Sequence, residues 1–264
     1  MDKVIDKQRV ADSFSKAAVT YDSVAELQRD IGEALITYLP SRSIEVMADL
    51  GCGTGYFTPR LKAEYAEAGL INMDLAFGML SYARNQRWAD DTHWICADAE
   101  VLPLRDSSID LIFSSLAIQW CENLPKLFSE VERVLKPGGR FVVATLGPQT
   151  LHELRSAWQK ADSYTHVNRF ISREGILSAL PQALRCQRFD EELRVLQYPR
   201  LKQLTDELKR LGAHNMNAGQ QVGLTGRERI SRFRDAYEAQ RTTEGYLPAT
   251  YQVFYAVFEK SFQE

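Results

Sequence analysis

An apolar pentad, Val46-Met47-Ala48-Asp49-Leu50, runs straight into Gly51-Cys52-Gly53-Thr54-Gly55. A helix-spaced set, Phe57, Leu61 and Tyr65, follows at once, and this strand–turn–helix junction belongs to parallel α/β folds. The rhythm then repeats. Residues 69–74 predict a strand, 75–85 a helix, 93–97 a strand ending at Asp98, and 109–114 a further strand. A helix over 124–135 and a strand over 140–146 close the series, joined by the Lys136-Pro137-Gly138-Gly139 turn. Short apolar strands alternating with helices predict a mostly parallel sheet covered on both faces.

The flanks differ in texture. Upstream, Val10, Phe14, Ala17 and Ala18, then Leu27, Ile31, Leu35 and Leu39, predict two helices broken near Thr20–Asp22. Residues 148–245 read as mainly helical and arginine-rich around a polar loop, 212–226, with room for one strand. Tyr251, Val253, Tyr255 and Val257 alternate as a strand does, so the chain's end is expected to rejoin the sheet. The expected organisation is a helical lid (1–42), a ligand-binding core (43–147), a helical cap (148–245) and a returning strand (246–264).

Composition removes several classes of function. At 264 residues and 45% apolar content the chain is one globular unit that needs no staple. A net charge of −3 carries no basic signature for nucleic acid. No apolar run approaches the ~20 residues of a membrane span. Cys52, Cys96, Cys121 and Cys186 are far apart and lack a CxxC pair, which predicts reduced thiols and a cytoplasmic setting. His93, His152, His166 and His214 show no ligand spacing, so no metal is expected.

The glycine loop narrows the ligand. Without Cβ atoms the backbone reaches positive φ and approaches a ligand closely, at the carboxyl edge where α/β sheets bind. A dinucleotide fingerprint would need glycine at Tyr56, and Asp49 would repel a phosphate. The loop therefore suits an amine-bearing ligand. Asp74, at the second strand's end, suits a ribose diol. Asp98, at the third, precedes the small Ala99, which leaves room for a flat base. Together they point to a nucleoside.

These residues form a linked series: DLGCGTG (49–55), Asp74, DAE (98–100), LPL (102–104), SIDLIFS (108–114) and EVERVLKPGG (130–139). The series resembles the class I S-adenosylmethionine methyltransferases. The resemblance implies a seven-stranded, mostly parallel, Rossmann-like sheet flanked by helices. It also implies S-adenosylmethionine as cofactor, contacted by Asp49, Gly51, Gly53, Gly55, Asp74, Leu75, Met79, Asp98, Ala99, Glu100 and Ser114. The flanks, RVADSFSKAAVTYD (9–22), LGAHNMN (211–217), GLTGR (223–227) and LPATY (247–251), are similar to the malonyl-acyl-carrier-protein O-methyltransferases of biotin synthesis. Gln220 and Gln221, where that family has a basic residue, and Ala256, where it has glycine, depart from the pattern.

A carboxylate acceptor is already ionised near neutrality, so methyl transfer to it needs geometry and dryness rather than a base. That agrees with the absence of a Ser-His-Asp arrangement. By resemblance, Tyr21 and Gln28 are lid contacts, with Tyr21 orienting the acceptor. Trp120 and Gln119, beyond the fourth strand, fall where the acceptor would enter. Arg169 is the expected carboxylate clamp. Residues 200–241 hold nine basic and five acidic side chains, and Arg227, Arg229, Arg232 and Arg234 form the expected patch for an acidic carrier or coenzyme A thioester. Two readings compete: a methyltransferase for another small acid, phenol or quinone precursor, and a non-catalytic module that binds the same nucleoside.

Overall fold

The computed structural model describes residues 6–87, 91–213 and 226–262. Seven strands form one sheet: β1 (Val46–Leu50), β2 (Gly69–Asp74), β3 (Thr92–Cys96), β4 (Ile109–Ser115), β5 (Leu135–Leu146), β6 (Leu184–Tyr198) and β7 (Leu247–Lys260). Their spatial order is β3-β2-β1-β4-β5-β7-β6. Neighbours among β1 to β5 pair in parallel, whereas β7 runs antiparallel to β5 and to β6. The chain leaves β1 toward β2 and β3, then returns to the other side at β4. Loops diverge at such a reversal and leave a crevice at the strands' carboxyl ends.

The strands are buried because their side chains are apolar on both faces, Leu70, Leu111, Ile112, Phe141 and Val142 being fully enclosed. One face is covered by α2 (Glu26–Ile36) through Leu27, Ile31 and Leu35. The other is covered by α5 (Leu124–Val134) through Leu127, Phe128, Val131 and Val134. α5 starts where Asn123 caps it, accepting from the Lys126 amide at 3.0 Å, with Pro125 in the first turn.

α1 (Lys7–Tyr21) lies across α4 (Phe77–Gln86) rather than on the sheet, with α3 (Thr58–Glu64) between β1 and β2. Ala17 and Ala18 meet Ala76 and Met79, small residues that let the two helices close in. A Cβ on Gly78 would lie 2.7–2.8 Å from Ser15, so only glycine permits this approach. The Gly78 amide donates to Ser15 Oγ at 3.1 Å.

The segment 148–245 carries α6 (His152–Ala161), α7 (Arg173–Ser178), α8 (Leu201–Arg210) and α9 (Arg227–Glu238). It also contains β6, fifteen residues long, the strand for which the sequence reading leaves room without placing it. β6 pairs with β7 from Leu184↔Lys260 to Tyr198↔Leu247, with an irregularity between Cys186 and Arg188. Its charges stand on both faces of an open edge, which hides the period-2 pattern and keeps the edge soluble. Most of the polar loop, with His214, Gln220 and Gln221, lies outside the described residues. All four cysteines are free, and no described helix is long and apolar enough to cross a membrane.

Candidate active site

The glycine loop folds as its spacing demands. Gly51, Gly53 and Gly55 have φ of +78°, +54° and +69°. A Cβ on Gly51 would stand 2.2 Å from Ala117 Cβ, whereas one on Gly53 would meet nothing within 4 Å. Gly53 therefore borders open space, and it lines a cleft with Leu50, Gly51, Asp74, Leu75, Met79, Asp98 and Ala99. With its mouth included, the cleft holds about 810 Å³, the scale of a nucleoside ligand.

Acidic groups set its electrostatics. Asp74 Oδ2 accepts from the Gly53 amide at 2.9 Å and Oδ1 from the Ala76 amide at 2.7 Å, which fixes the carboxylate at the β2 tip. Burial pushes its pKa up, opposed by these backbone donors. Asp49 is buried behind the loop, and its Oδ2 has no hydrogen-bond partner. Burial, aided by the charge of Asp74, pushes Asp49 up to about 8. A buried carboxylate oxygen without a partner is costly, and an ammonium group near the glycines would satisfy it. The donor set thus fits an amino-acid moiety at the loop and a diol at Asp74.

At the far end Lys7, on α1, donates to Asp98 at 2.6 Å and lies 2.8 Å from Glu100. Sequence reasoning missed Lys7 because its partners lie more than ninety residues away. Asp22, at the end of α1, is held by Thr54 Oγ1 at 2.7 Å and by Arg87 at 3.0 Å. α1 is tied down at both ends, with Val10, Ala11, Phe14 and Tyr21 over the cleft.

Five of the expected residues are not in the cleft lining: Asp49, behind the loop, and Ser114, Glu100, Gly55 and Gln28. Ser114 is buried and donates to the Leu50 carbonyl at 2.7 Å, so it ties β4 to β1, and Ser115, pointing the other way, lines the cleft. Glu100 turns from the cleft: its Oε1 accepts from the Glu122 and Asn123 amides at 2.6 and 3.0 Å and holds that loop. Gly55 is a packing glycine, since a Cβ there would approach Trp94 to 2.9 Å. Gln28 lines a second cavity rather than the cleft, with its Oε1 buried and unpartnered.

That second cavity decides the chemistry. Phe14, Tyr21, Leu116 and Trp120 line both spaces and form their common wall. Phe14 meets Trp120 edge-on at 5.3 Å and Tyr21 at 6.5 Å. Burial, with the charges of Asp74 and Asp22, pushes the Tyr21 hydroxyl well above its ordinary range, so it stays a proton donor. Leu116, at φ +54°, turns the chain between the cavities. Trp158 is sandwiched between His166 at 3.7 Å and Phe233 at 3.9 Å, and His166 Nε2 is 2.9 Å from Asp162. All three rings border the second cavity, whose lining joins these and other apolar side chains to Gln28, Gln119, Thr150, Asn168, Thr205 and Lys209.

The structure does not bring Arg169 into this chamber. Arg169 is exposed and borders a neighbouring groove with Glu122. Arg155 lies near it, donating to the Pro148 and Thr150 carbonyls at 3.1 and 2.9 Å, with its pKa lowered by burial and by the charge of Arg169. Of the expected carrier patch on α9, Arg229 is 3.4 Å from Asp162, Arg232 2.5 Å from Glu228 and Arg234 3.9 Å from Asp235.

Comparison with known proteins agrees with this geometry. A family described as a methyltransferase domain matches residues 48–143. A biotin biosynthesis bifunctional protein BioHC of Cellvibrio japonicus is 52% identical over 97% of this chain, which spans 51% of that protein. The chain thus spans about half the length of the bifunctional relatives it matches. A malonyl-[acyl-carrier protein] O-methyltransferase of Hahella chejuensis is 40% identical, covering 97% of this chain and 91% of that one. That of Methylococcus capsulatus is 42% identical, over 97% and 94%. Among solved structures, an S-adenosylmethionine-dependent methyltransferase from Mesorhizobium loti shares the fold, with TM-score 0.52, 21% identity and coverage of 85% and 96%. Nearly full-length identity to stand-alone relatives, with the glycine loop and strand-tip acids in place, makes this chain a member of the malonyl-[acyl-carrier protein] O-methyltransferase family.

Proposed function

We propose that the chain transfers a methyl group from S-adenosylmethionine to the free carboxylate of a malonyl thioester, giving the methyl ester used in biotin synthesis. The observation that carries this reading is the pair of cavities divided by Phe14, Tyr21, Leu116 and Trp120. The cofactor supplies an electrophilic methyl on a sulfonium. In this reading Asp49, behind the glycine loop, balances the cofactor's ammonium. Asp74 accepts from the ribose hydroxyls with lone pairs its two backbone donors leave free. Asp98 and Ala99 receive the base, and Leu75 and Met79 flank the nucleoside.

On the acceptor side Tyr21, part of the wall, and the Gln28 amide, in the chamber lining, orient the carboxylate. The reacting oxygen needs no base, since it is ionised already. Of the expected lid, α1 is the part over the cleft: it seals the cleft against water, and Trp120 and Phe14 keep the transfer path dry. Of the expected cap, α6, the loop after it, α8 and α9 enclose the acceptor.

The test is direct. Purified protein with S-adenosylmethionine and malonyl-carrier protein should yield malonyl methyl ester by mass spectrometry. No ester from that thioester or from malonyl-coenzyme A would remove the substrate assignment. A competing substrate, another small acid, would show as turnover without any thioester.

A further inference from the structure

The acceptor chamber borders two grooves, and their charges differ. One shares Lys209 with the chamber and runs between α1 and α8, lined by Lys16, Thr20, Asp206, Lys209 and Arg210. The other shares Gln119 and Phe170 with the chamber, and its charged lining is Arg169 and Glu122, which balance. In the first, Asp206 is held by Lys202 in an ion pair. Among the described residues Lys16 and Lys209 have no carboxylate partner, and Arg210 donates to Ser23 Oγ at 2.7 Å rather than to an acid. Lys16 and Lys209 are thus uncommitted cations at the rim of the chamber, beside Arg210, whose charge also acts on Glu207.

It is also a fixed surface. Ser13 Oγ donates to the Gly212 carbonyl at 3.1 Å and Thr20 Oγ1 to the Arg210 carbonyl at 3.0 Å. Gly212 has φ +72°, and a Cβ there would stand 3.1 Å from both Ala17 Cβ and the Ser13 carbonyl oxygen. Only glycine lets the end of α8 close onto α1 here. Val19, next to Thr20, is 76% exposed and offers an apolar contact beside the cations. On α9, by contrast, Arg229 meets Asp162, Arg232 meets Glu228 and Arg234 lies near Asp235.

We propose that the α1–α8 groove, centred on Lys16, Lys209 and Arg210, is the docking face for the acidic carrier protein that presents the malonyl thioester. This rests on the substrate reading above and adds where the carrier sits. A thioester arm entering past Lys209 reaches the chamber without crossing a neutral rim. Exposed rim charges act mainly on encounter rate and salt dependence, so their loss registers in KM rather than in the chemical step. Lys209 and Arg210 also complement the carboxyl end of α8, but Lys16 belongs to α1 and has no such role.

The experiment uses the full chain with two substrates: malonyl-carrier protein, and a small malonyl thioester such as malonyl-N-acetylcysteamine. The K16E/R210E variant should raise KM for the carrier substrate about tenfold, leave kcat unchanged and flatten its salt dependence. KM for the small thioester should not move, and R232E should leave both KM values unchanged. Lys16→Glu alone carries the test if the double variant fails to fold. An unchanged carrier KM overturns the proposal, as does an equal rise for both substrates or an R232E effect as large as the double variant's. Absence of ester from wild-type protein and malonyl-carrier protein would instead defeat the substrate reading, so the two failures are distinct.

Discussion

Asp49 is the residue whose surroundings say most about the ligand. Burial pushes its carboxyl up to about 8, with Asp74 adding to the rise. The folded protein therefore holds this proton more tightly than the unfolded chain. Its effect on the cofactor-free protein is a loss of stability as pH rises from about 4 to about 8, levelling above that. A cationic partner reverses the preference, so binding below pH ~8 releases a proton and cofactor affinity rises toward that pH. In Asp49→Asn the pH dependence should vanish and affinity should fall about tenfold or more. Titration calorimetry in buffers of different ionisation enthalpy reads both effects; unchanged affinity would make Asp49 a structural acid. Asp74→Ala should likewise weaken binding by about 1.5–3 kcal/mol, the scale of hydrogen bonds to a charged group. Tyr21→Phe should lower kcat with cofactor affinity intact, whereas an unchanged kcat would reduce the ring to packing.

At the scale of elements, α1 is the part that converts an open crevice into a closed site. Its grip on α4 depends on Gly78, where any side chain meets Ser15. Gly78→Ala should lift α1, lower stability by about 1–3 kcal/mol and raise the cofactor KM, all visible in a thermal melt and a steady-state assay. An unaltered melting temperature would mean that α1 is not held there. Much of this layer was legible in the sequence: β1 to β4 by short, largely apolar runs with glycine, acidic or serine ends, and β7 by its alternation. β5 was legible by its apolar end, although it starts at Leu135 and runs through the segment read as a turn. β6 was not, because an edge strand with charges on both faces lacks alternation. At the strand tips the sequence names the position but not the direction. Ser114 and Ser115 are neighbours on opposite faces, and the buried one bonds to Leu50 while the other meets the ligand space. Arg169 and Gln28 lie outside the cleft lining for a related reason: the second cavity is assembled from α1, α2, α6, α8, α9 and the loop after α6, and no local spacing tells which side of a helix or loop will face it.

Over the whole molecule the sheet order explains why two cavities meet where they do. β1 and β4 adjoin at the reversal in strand order, so the glycine loop after β1 and the turn after β4 face each other, and α1 crosses above both. Tyr21 and Phe14 from α1, with Leu116 and Trp120 from the β4 side, then form a wall shared by a nucleoside cleft and an acceptor chamber. The central claim is that a methyl group passes across this wall. The most direct measurement is a single-turnover reaction with methyl-labelled S-adenosylmethionine and malonyl-carrier protein, comparing wild type with Trp120→Ala. The account predicts base-labile label on the carrier with wild type, and a rate about tenfold or more slower in the variant at unchanged cofactor affinity. Label transfer at full rate in Trp120→Ala, or none in wild type despite bound cofactor, would contradict it.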